Sequence, residues 1–231
     1  MNKSKWNNYF GNIQNKYNLK MNKNQPIVLF VDGKDITKSL QHDLITEERN
    51  SFNDILEQTV KMFSEKYECL AISGVDEVSF IFENSKKIQE LLPIKTYRAH
   101  DIISVFSQQF YKVFNKKYEK RPVYWHCKCS NIPKGKIKSY IKFRSLTIYE
   151  LKLTYFLKRK QFKDSGKIAL FEKENVAKEI LGYDEIKESL KGNLYIKGYQ
   201  INLEAFLNDE IIKIPTKERI EKKQYFDLSD F

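Results

Sequence analysis

One short segment constrains this chain more than any other. After Pro26 comes IVLFVDG, an unbroken apolar run that ends in a carboxylate and a glycine. An apolar run that does not alternate is buried on both faces, so residues 27–33 are predicted to form a central strand covered on each side. The neighbouring segments supply partners for it. Residues 51–65, SFNDILEQTVKMFSE, place Phe52, Ile55, Leu56, Val60 and Phe63 at helical spacing, with Ser51 as a cap and Asp54 three residues on. CLAIS, GVDE and VSFIF follow, two apolar runs about a turn containing Gly74 and Asp76, which predicts a β-hairpin with an acidic pair at its tip. A second helix is expected at about 97–115 on Ile102, Ile103, Phe106, Phe110 and Val113, and VYWHCKCSNIP reads as a further strand closed by Pro133. Strand, helix, hairpin, helix, strand is the order of an α+β fold with an antiparallel sheet and its helices on one face.

The flanks are less patterned. The opening stretch to Asn24 is rich in Asn and Lys and forms either a short helix on Trp6, Phe10, Ile13 and Tyr17 or a loose arm. Residues 136–160 predict one long helix or two, with eight basic residues and a single acid, Glu150. Beyond lie a helix near 173–181, a short hairpin within LKGNLYIKGYQI and a polar tail. The expected organisation is a sheet domain over 1–135 and a basic, helical and mixed extension over 136–231 packed on it as one compact unit.

No run reaches the roughly 18–20 apolar residues that span a bilayer, and MNKSKWNNYFGN lacks the apolar centre of a signal peptide. The three cysteines, Cys69, Cys127 and Cys129, are too few and odd in number for a disulfide framework. A cytoplasmic protein with no membrane partner is expected. The 41 Lys plus Arg against 30 Asp plus Glu, a net +11, favour a polyanionic partner. An AT-rich genome also inflates Lys and Asn, so charge alone does not decide for nucleic acid.

The chemistry sits where the strands end. With Asp32 closing the first strand and Asp76-Glu77 at the hairpin tip, neighbouring strands bring three carboxylates to one rim of the sheet. Two Mg²⁺ ions about 4 Å apart need that kind of site, built from carboxylates and a backbone carbonyl. Gly33 permits a sharp turn close to a triphosphate, and Lys34 is placed to meet phosphate charge. Taken singly, DG and DE are common turn residues; the joint order and spacing carry the signal.

At this point a resemblance becomes specific. PIVLFVDGKDITK resembles the first motif of the tRNA-histidine guanylyltransferase family, SGVDEVSFIF its second, and NIPKGKIKSYIKFRSLT the stretch that leads into a helix with a Trp-Arg pair; FGNIQNKY is loosely similar to its N-terminal helix. The likeness spans about residues 10–160. It implies a polymerase-palm-like sheet in ferredoxin-like order, and an enzyme that adds nucleotides to the 5′ end of tRNA or a tRNA-like RNA, using two Mg²⁺ ions and ATP or GTP. It further implies Asp32, Asp76 and Glu77 as catalytic, and Asp32, the Gly33 carbonyl and Asp76 as metal ligands. Asp32, Gly33, Lys34, Asp35, Ile36, Thr37, Val75, Asp76 and Ser79 would line the nucleotide, and the protein would be a homo-oligomer, as family members are often tetramers. Val75 replaces a usual Ser, Val78 an aromatic, and His126 the family's Asp. LITEERNSF stands in place of a Lys-Pro element, and IYELK in place of the His- and Asn-rich segment of eukaryotic members. These departures spare the metal ligands and point to the "like" subgroup, with repair-type or altered substrate choice.

Arg98, Lys128, Arg144, Lys158, Arg159 and Lys160 are the expected RNA contacts, each positioning phosphate rather than reading sequence. Tyr140, Tyr149 and Tyr155 either stack on bases or belong to a core. His126-Cys127-Lys128-Cys129 is a poor zinc site, because alternation along a strand sends His126 and Cys127 to opposite faces. The His42-Asp43 and His100-Asp101 doublets lack the upstream His of a phosphohydrolase, and neither GxxxxGK nor GxSxG occurs. A palm-type synthase of a signalling oligo- or cyclic nucleotide and a non-catalytic RNA-binding relative remain as alternatives.

Overall fold

A computed structural model of the chain describes residues 20–34, 36, 47–92, 98–119, 122–180, 182–209, 212–213 and 225–226. The N-terminal stretch with Trp6, Phe10, Ile13 and Tyr17, the residues Asp35 and Thr37, and the His42-Asp43 doublet lie outside them.

β1 (Ile27–Gly33) is the central strand that its apolar run predicts, paired antiparallel with β3 (Glu77–Phe82) on one side and β4 (Trp125–Asn131) on the other. β2 (Leu70–Ser73) pairs with the far side of β3. The sheet order β4-β1-β3-β2-β5-β6 therefore contains the ferredoxin-like arrangement in its first four strands, every pair antiparallel. β5 (Asn193–Ile196) and β6 (Tyr199–Ile201) are the hairpin expected in LKGNLYIKGYQI, and β5 extends the sheet by pairing with β2. The sheet thus takes strands from both sides of residue 135. Two further short strands, β7 (Ile212–Lys213) and β8 (Tyr225–Phe226), pair with each other.

One face of the sheet is covered by α1 (Glu47–Lys66) and α3 (Ala99–Lys117). Ile27, Leu29 and Val31 point into a core with Phe52, Phe63, Phe106, Phe110 and Phe114. The rings meet largely edge to face, as in Phe110 against Trp125 at 4.8 Å and 83°, the geometry that the ring quadrupoles favour. α1 starts four residues before Ser51, which is therefore interior and not a cap. Glu47, Glu48 and Arg49 are good helix formers with no apolar member, so hydrophobic spacing could not reveal that first turn. A short helix not among the expected elements, α2 (Ser85–Leu91), is capped by Asn84, whose side chain accepts the Lys87 N–H at 3.0 Å.

The opposite face is covered by α4 (Ile137–Arg159), a single helix. Ile137, Tyr140, Ile141 and Ile148 pack against Val28, Leu70, Ile72 and Ile81. From the other side of α4, Tyr149, Leu153 and Leu157 meet α5 (Leu170–Lys178) at Ala177 and α6 (Tyr183–Ile186) at Tyr183, and the Tyr149 and Tyr183 hydroxyls lie 2.6 Å apart. Tyr140, Tyr149 and Tyr155 are all buried, so they are core residues and not stacking platforms. Glu150 holds the buried Lys173 ammonium at 3.0 Å. After β6 comes α7 (Leu203–Leu207), capped by Asn202. Among the described residues, no helix is long and apolar enough to cross a membrane.

Candidate active site

Strand alternation places the site. Ile27, Leu29 and Val31 face the aromatic core, so Val28, Phe30 and Asp32 face the other way. Asp32 stands opposite Glu77 in β3 and opposite His126 in β4, and Phe30 opposite Ser79 and Lys128. The β2–β3 turn, closed by the Gly74 N–H donating to the Glu77 carbonyl at 2.8 Å, swings Asp76 alongside Gly33. The Gly33 N–H donates to the Asp76 carbonyl at 2.8 Å, and the Lys34 N–H to the Tyr124 carbonyl at 2.8 Å. The hairpin and the end of β1 are thereby tied together by backbone, with Asp32, Asp76 and Glu77 at one rim as the spacing predicts.

Gly33 is needed for its missing side chain. A Cβ there would stand 2.9 Å from Ile36 Cγ1 and 3.3 Å from both the Asp76 carbonyl oxygen and the Trp125 ring. Gly33→Ala is therefore expected to cost about 1–3 kcal/mol by overpacking, and to shift the Asp76 turn; a urea unfolding midpoint equal to wild type would show that the turn has room.

The carboxylates do not share one environment. Burial first, and then the Asp76 and Glu77 charges, push Asp32 up from 3.8 to about 7, while Lys128 and Arg144 pull it down. Asp76 is 5% exposed. Glu77 is ion-paired with Arg144, which rises from α4 and is itself 5% exposed. The Arg144 guanidinium lies 4.6 Å over the Phe30 ring and 5.9 Å from that of Phe143. Burial works against its charge, but Glu77, Tyr140 and Asp32 outweigh that and hold the proton. Arg144 Nε has no hydrogen-bond partner among the described residues. Arg144, one of the expected RNA contacts, is placed behind the carboxylates rather than on an exposed surface. A guanidinium buried against Glu77 and Phe30 is not presented to a polymer. Phe30, its platform, drew no notice in the sequence; the only signal was its position two residues before Asp32, which puts both on one face.

Among the described residues, no group of three or more His, Cys, Asp and Glu forms a metal cage. The site offers Asp32, Asp76 and the Gly33 carbonyl, hard oxygen donors at a place where anionic charge is under-compensated. That donor set suits Mg²⁺, which keeps several waters and shares phosphate oxygens rather than needing an all-protein shell. The other expected nucleotide contacts are spread around it. Lys34 is exposed, Ile36 and Val75 are buried, and the buried Ser79 hydroxyl lies 3.0 Å from that of Tyr140.

Of the other expected RNA contacts, Lys128 shares the face of Asp32, half-buried on β4. Arg98 is exposed where its segment bridges to Lys20. Lys158 and Lys160 are exposed at the far end of α4, about 21–24 Å along the axis from Arg144. Arg159 closes α4, and its side chain lies outside the described residues. His126 is exposed and Cys127 buried, so they diverge as alternation requires, and burial pushes the Cys127 thiol up to about 12. His100 and Asp101 pair locally at 2.8 Å in the first turn of α3.

No protein-family model and no curated protein matches the chain. Solved structures do. A bacterial tRNA(His) guanylyltransferase (Thg1)-like protein in complex with GTP superposes with a TM-score of 0.63 at 10% identity, over 96% of this chain and 88% of the other. Such a protein in complex with ATP gives 0.59 at 13% identity over the same shares. The tRNA(His) guanylyltransferase of Saccharomyces cerevisiae gives 0.50 at 18%, over 81% of this chain and 92% of its own. At these identities the likeness is one of architecture, and it agrees with the ferredoxin-like sheet order: the chain has the fold of the tRNA(His) guanylyltransferase (Thg1)-like proteins.

Proposed function

We propose that the protein is a nucleotidyltransferase that adds nucleotides to the 5′ end of tRNA or a tRNA-like RNA, extending it in the 3′–5′ direction. The observation that carries this reading is the meeting of Asp32 and Asp76 on one rim of a palm-like sheet, with Asp32 held up to about 7 by burial and by its acidic neighbours. Solved neighbours of the same fold that are complexed with GTP and ATP support it.

In this reading Asp32, Asp76 and the Gly33 carbonyl would hold two Mg²⁺ ions, which would supply charge neutralisation to the triphosphate and to the charge that develops on transfer. Gly33, bare of a side chain, lets the Asp76 turn close against the end of β1 and so sets the two acids together, and Lys34 and Lys128 offset phosphate charge. Arg144 keeps Glu77 paired behind the reacting groups. Two displacements complete the cycle. A 5′-monophosphate oxygen of the RNA attacks the α-phosphorus of ATP or GTP, and pyrophosphate leaves. The 3′-hydroxyl of an incoming nucleotide then attacks the activated 5′ phosphorus, and the nucleoside monophosphate leaves. The working protein is a cytoplasmic homo-oligomer.

The test is a tRNA that lacks its first nucleotide and bears a 5′-monophosphate. It should gain one nucleotide only with a nucleoside triphosphate and Mg²⁺ present. A 5′-triphosphate on the same RNA should bypass activation, and periodate oxidation of the 3′-terminal ribose should change nothing. Extension mapped to the 3′ end, or blocked by oxidation, would replace this reading with an ordinary palm polymerase. Labelled product free of RNA would point to a signalling synthase, and no product at all to a non-catalytic relative.

A further inference from the structure

α4 turns Tyr140, Arg144 and Ile148 to the sheet, and its outward side borders a groove of about 390 Å³ shared with residues 187–191 and α7. Four lysines line it: Lys138, Lys142, Lys187 and Lys191. Lys138 pairs with Asp209, and Lys191 with Glu204 at 2.7 Å. Asp209 and Glu204 are 71% and 50% exposed, and ion pairs so open to water are weak and easily exchanged. Glu174, the remaining acid of the lining, is hydrogen-bonded with Tyr149. Lys142 and Lys187 are exposed and have no carboxylate partner among the described residues.

We propose that this groove docks the sugar-phosphate backbone of an RNA strand, at a place separate from the Asp32 site. The inference rests on the RNA-directed reading above and gives it a surface. A groove of this volume admits roughly one nucleotide unit, too little for a duplex to enter but enough for a phosphate to settle between two ammonium groups. Lysine is a point charge without a fixed fork, so it neutralises phosphate without selecting a base. Lys134 and Lys136 are exposed just before α4, within four residues of Lys138 in the chain, so further cations lie next to the groove in sequence, which suits successive phosphates better than a single free anion. Arg144, the basic residue of α4 that matched a motif, is buried on the opposite side of the helix, which leaves the outward lysines to meet a polymer.

The experiment is fluorescence anisotropy of a labelled tRNA transcript titrated with full-length protein across a series of KCl concentrations. Each phosphate contact releases counterions, so losing two should flatten the log-log salt dependence by about two. Lys142→Ala/Lys187→Ala should show that change and bind RNA about tenfold more weakly at low salt, while wild-type melting and binding of a fluorescent nucleoside triphosphate are retained. Lys142→Arg/Lys187→Arg should restore the slope. If wild type binds tRNA with a steep slope and the alanine pair matches it, the groove is not the docking surface, though the RNA reading stands. If wild type shows no salt-dependent tRNA binding, that reading falls as well. A groove that takes up ATP, with RNA affinity unchanged in the alanine pair, belongs to a nucleotide and overturns the proposal.

Discussion

Replacing Arg144 with methionine should lower stability by about 3 kcal/mol, because it strands a carboxylate beside two others. Methionine keeps most of the length and volume of the side chain, so the loss is electrostatic rather than a cavity. Glu77 would then lie 13% exposed, without its cation and within the field of Asp32 and Asp76. The ion pair is nearly dry on the Arg144 side, so solvent cannot replace the lost partner. Asp32 should respond too. Arg144 is one of the two cations that pull its pKa down, so without it the carboxyl titrates still higher and is more protonated at neutral pH. Glu77→Gln in the same background should recover most of the loss, since neither charge is then unpaired. Urea unfolding of wild type, Arg144→Met and the double variant measures this directly. A methionine variant within about 0.5 kcal/mol of wild type would mean that the pair is solvated and dispensable.

Asp32→Asn should separate activity from stability. Nucleotide addition should fall by at least about 10³-fold, because several kcal/mol of charge stabilisation at the triphosphate depends on a carboxylate there; Asp76→Asn should do the same. Stability should move the other way. The folded carboxyl titrates at about 7 and an unfolded one near 3.8, so the folded state binds this proton more tightly. Its contribution is fully present below about pH 4, is lost as pH rises through 7, and changes no further above that. The metal-free wild type should therefore lose stability against Asp32→Asn between those limits, and Mg²⁺ at pH 8 should restore it in wild type only. Parallel pH profiles for the two proteins would show that Asp32 is not strained by its surroundings. Near-normal turnover in either amide variant would remove the two-metal assignment.

These variants also separate what was legible in the chain from what was not. The unbroken run Ile27–Val31 dictated a strand buried on both faces, and the runs about Gly74 and Asp76 dictated a hairpin, because period and turn chemistry are local properties. Once those strands are neighbours, Asp32 and Asp76 must approach each other, so the acidic rim followed from order and spacing. The hairpin over Asn193–Ile201 was visible for the same reason, but its pairing beside β2 was not, since the choice of a sheet edge is made by contacts distant in sequence. Residues 136–160 show the limit most clearly. α4 buries one side against the sheet and another against α5 and α6, so its sequence carries no single apolar stripe from which to tell inward from outward. A motif match and a positive charge sent Arg144 to the surface and to RNA. Tertiary packing turned it inward, onto Phe30 and Glu77, and left Lys142 on the outside of the same helix. The sequence by itself determined which groups could do the chemistry; which of two cations two residues apart backs the acids and which meets solvent depended on how the helix is rotated against the sheet, and only the assembled core fixes that angle.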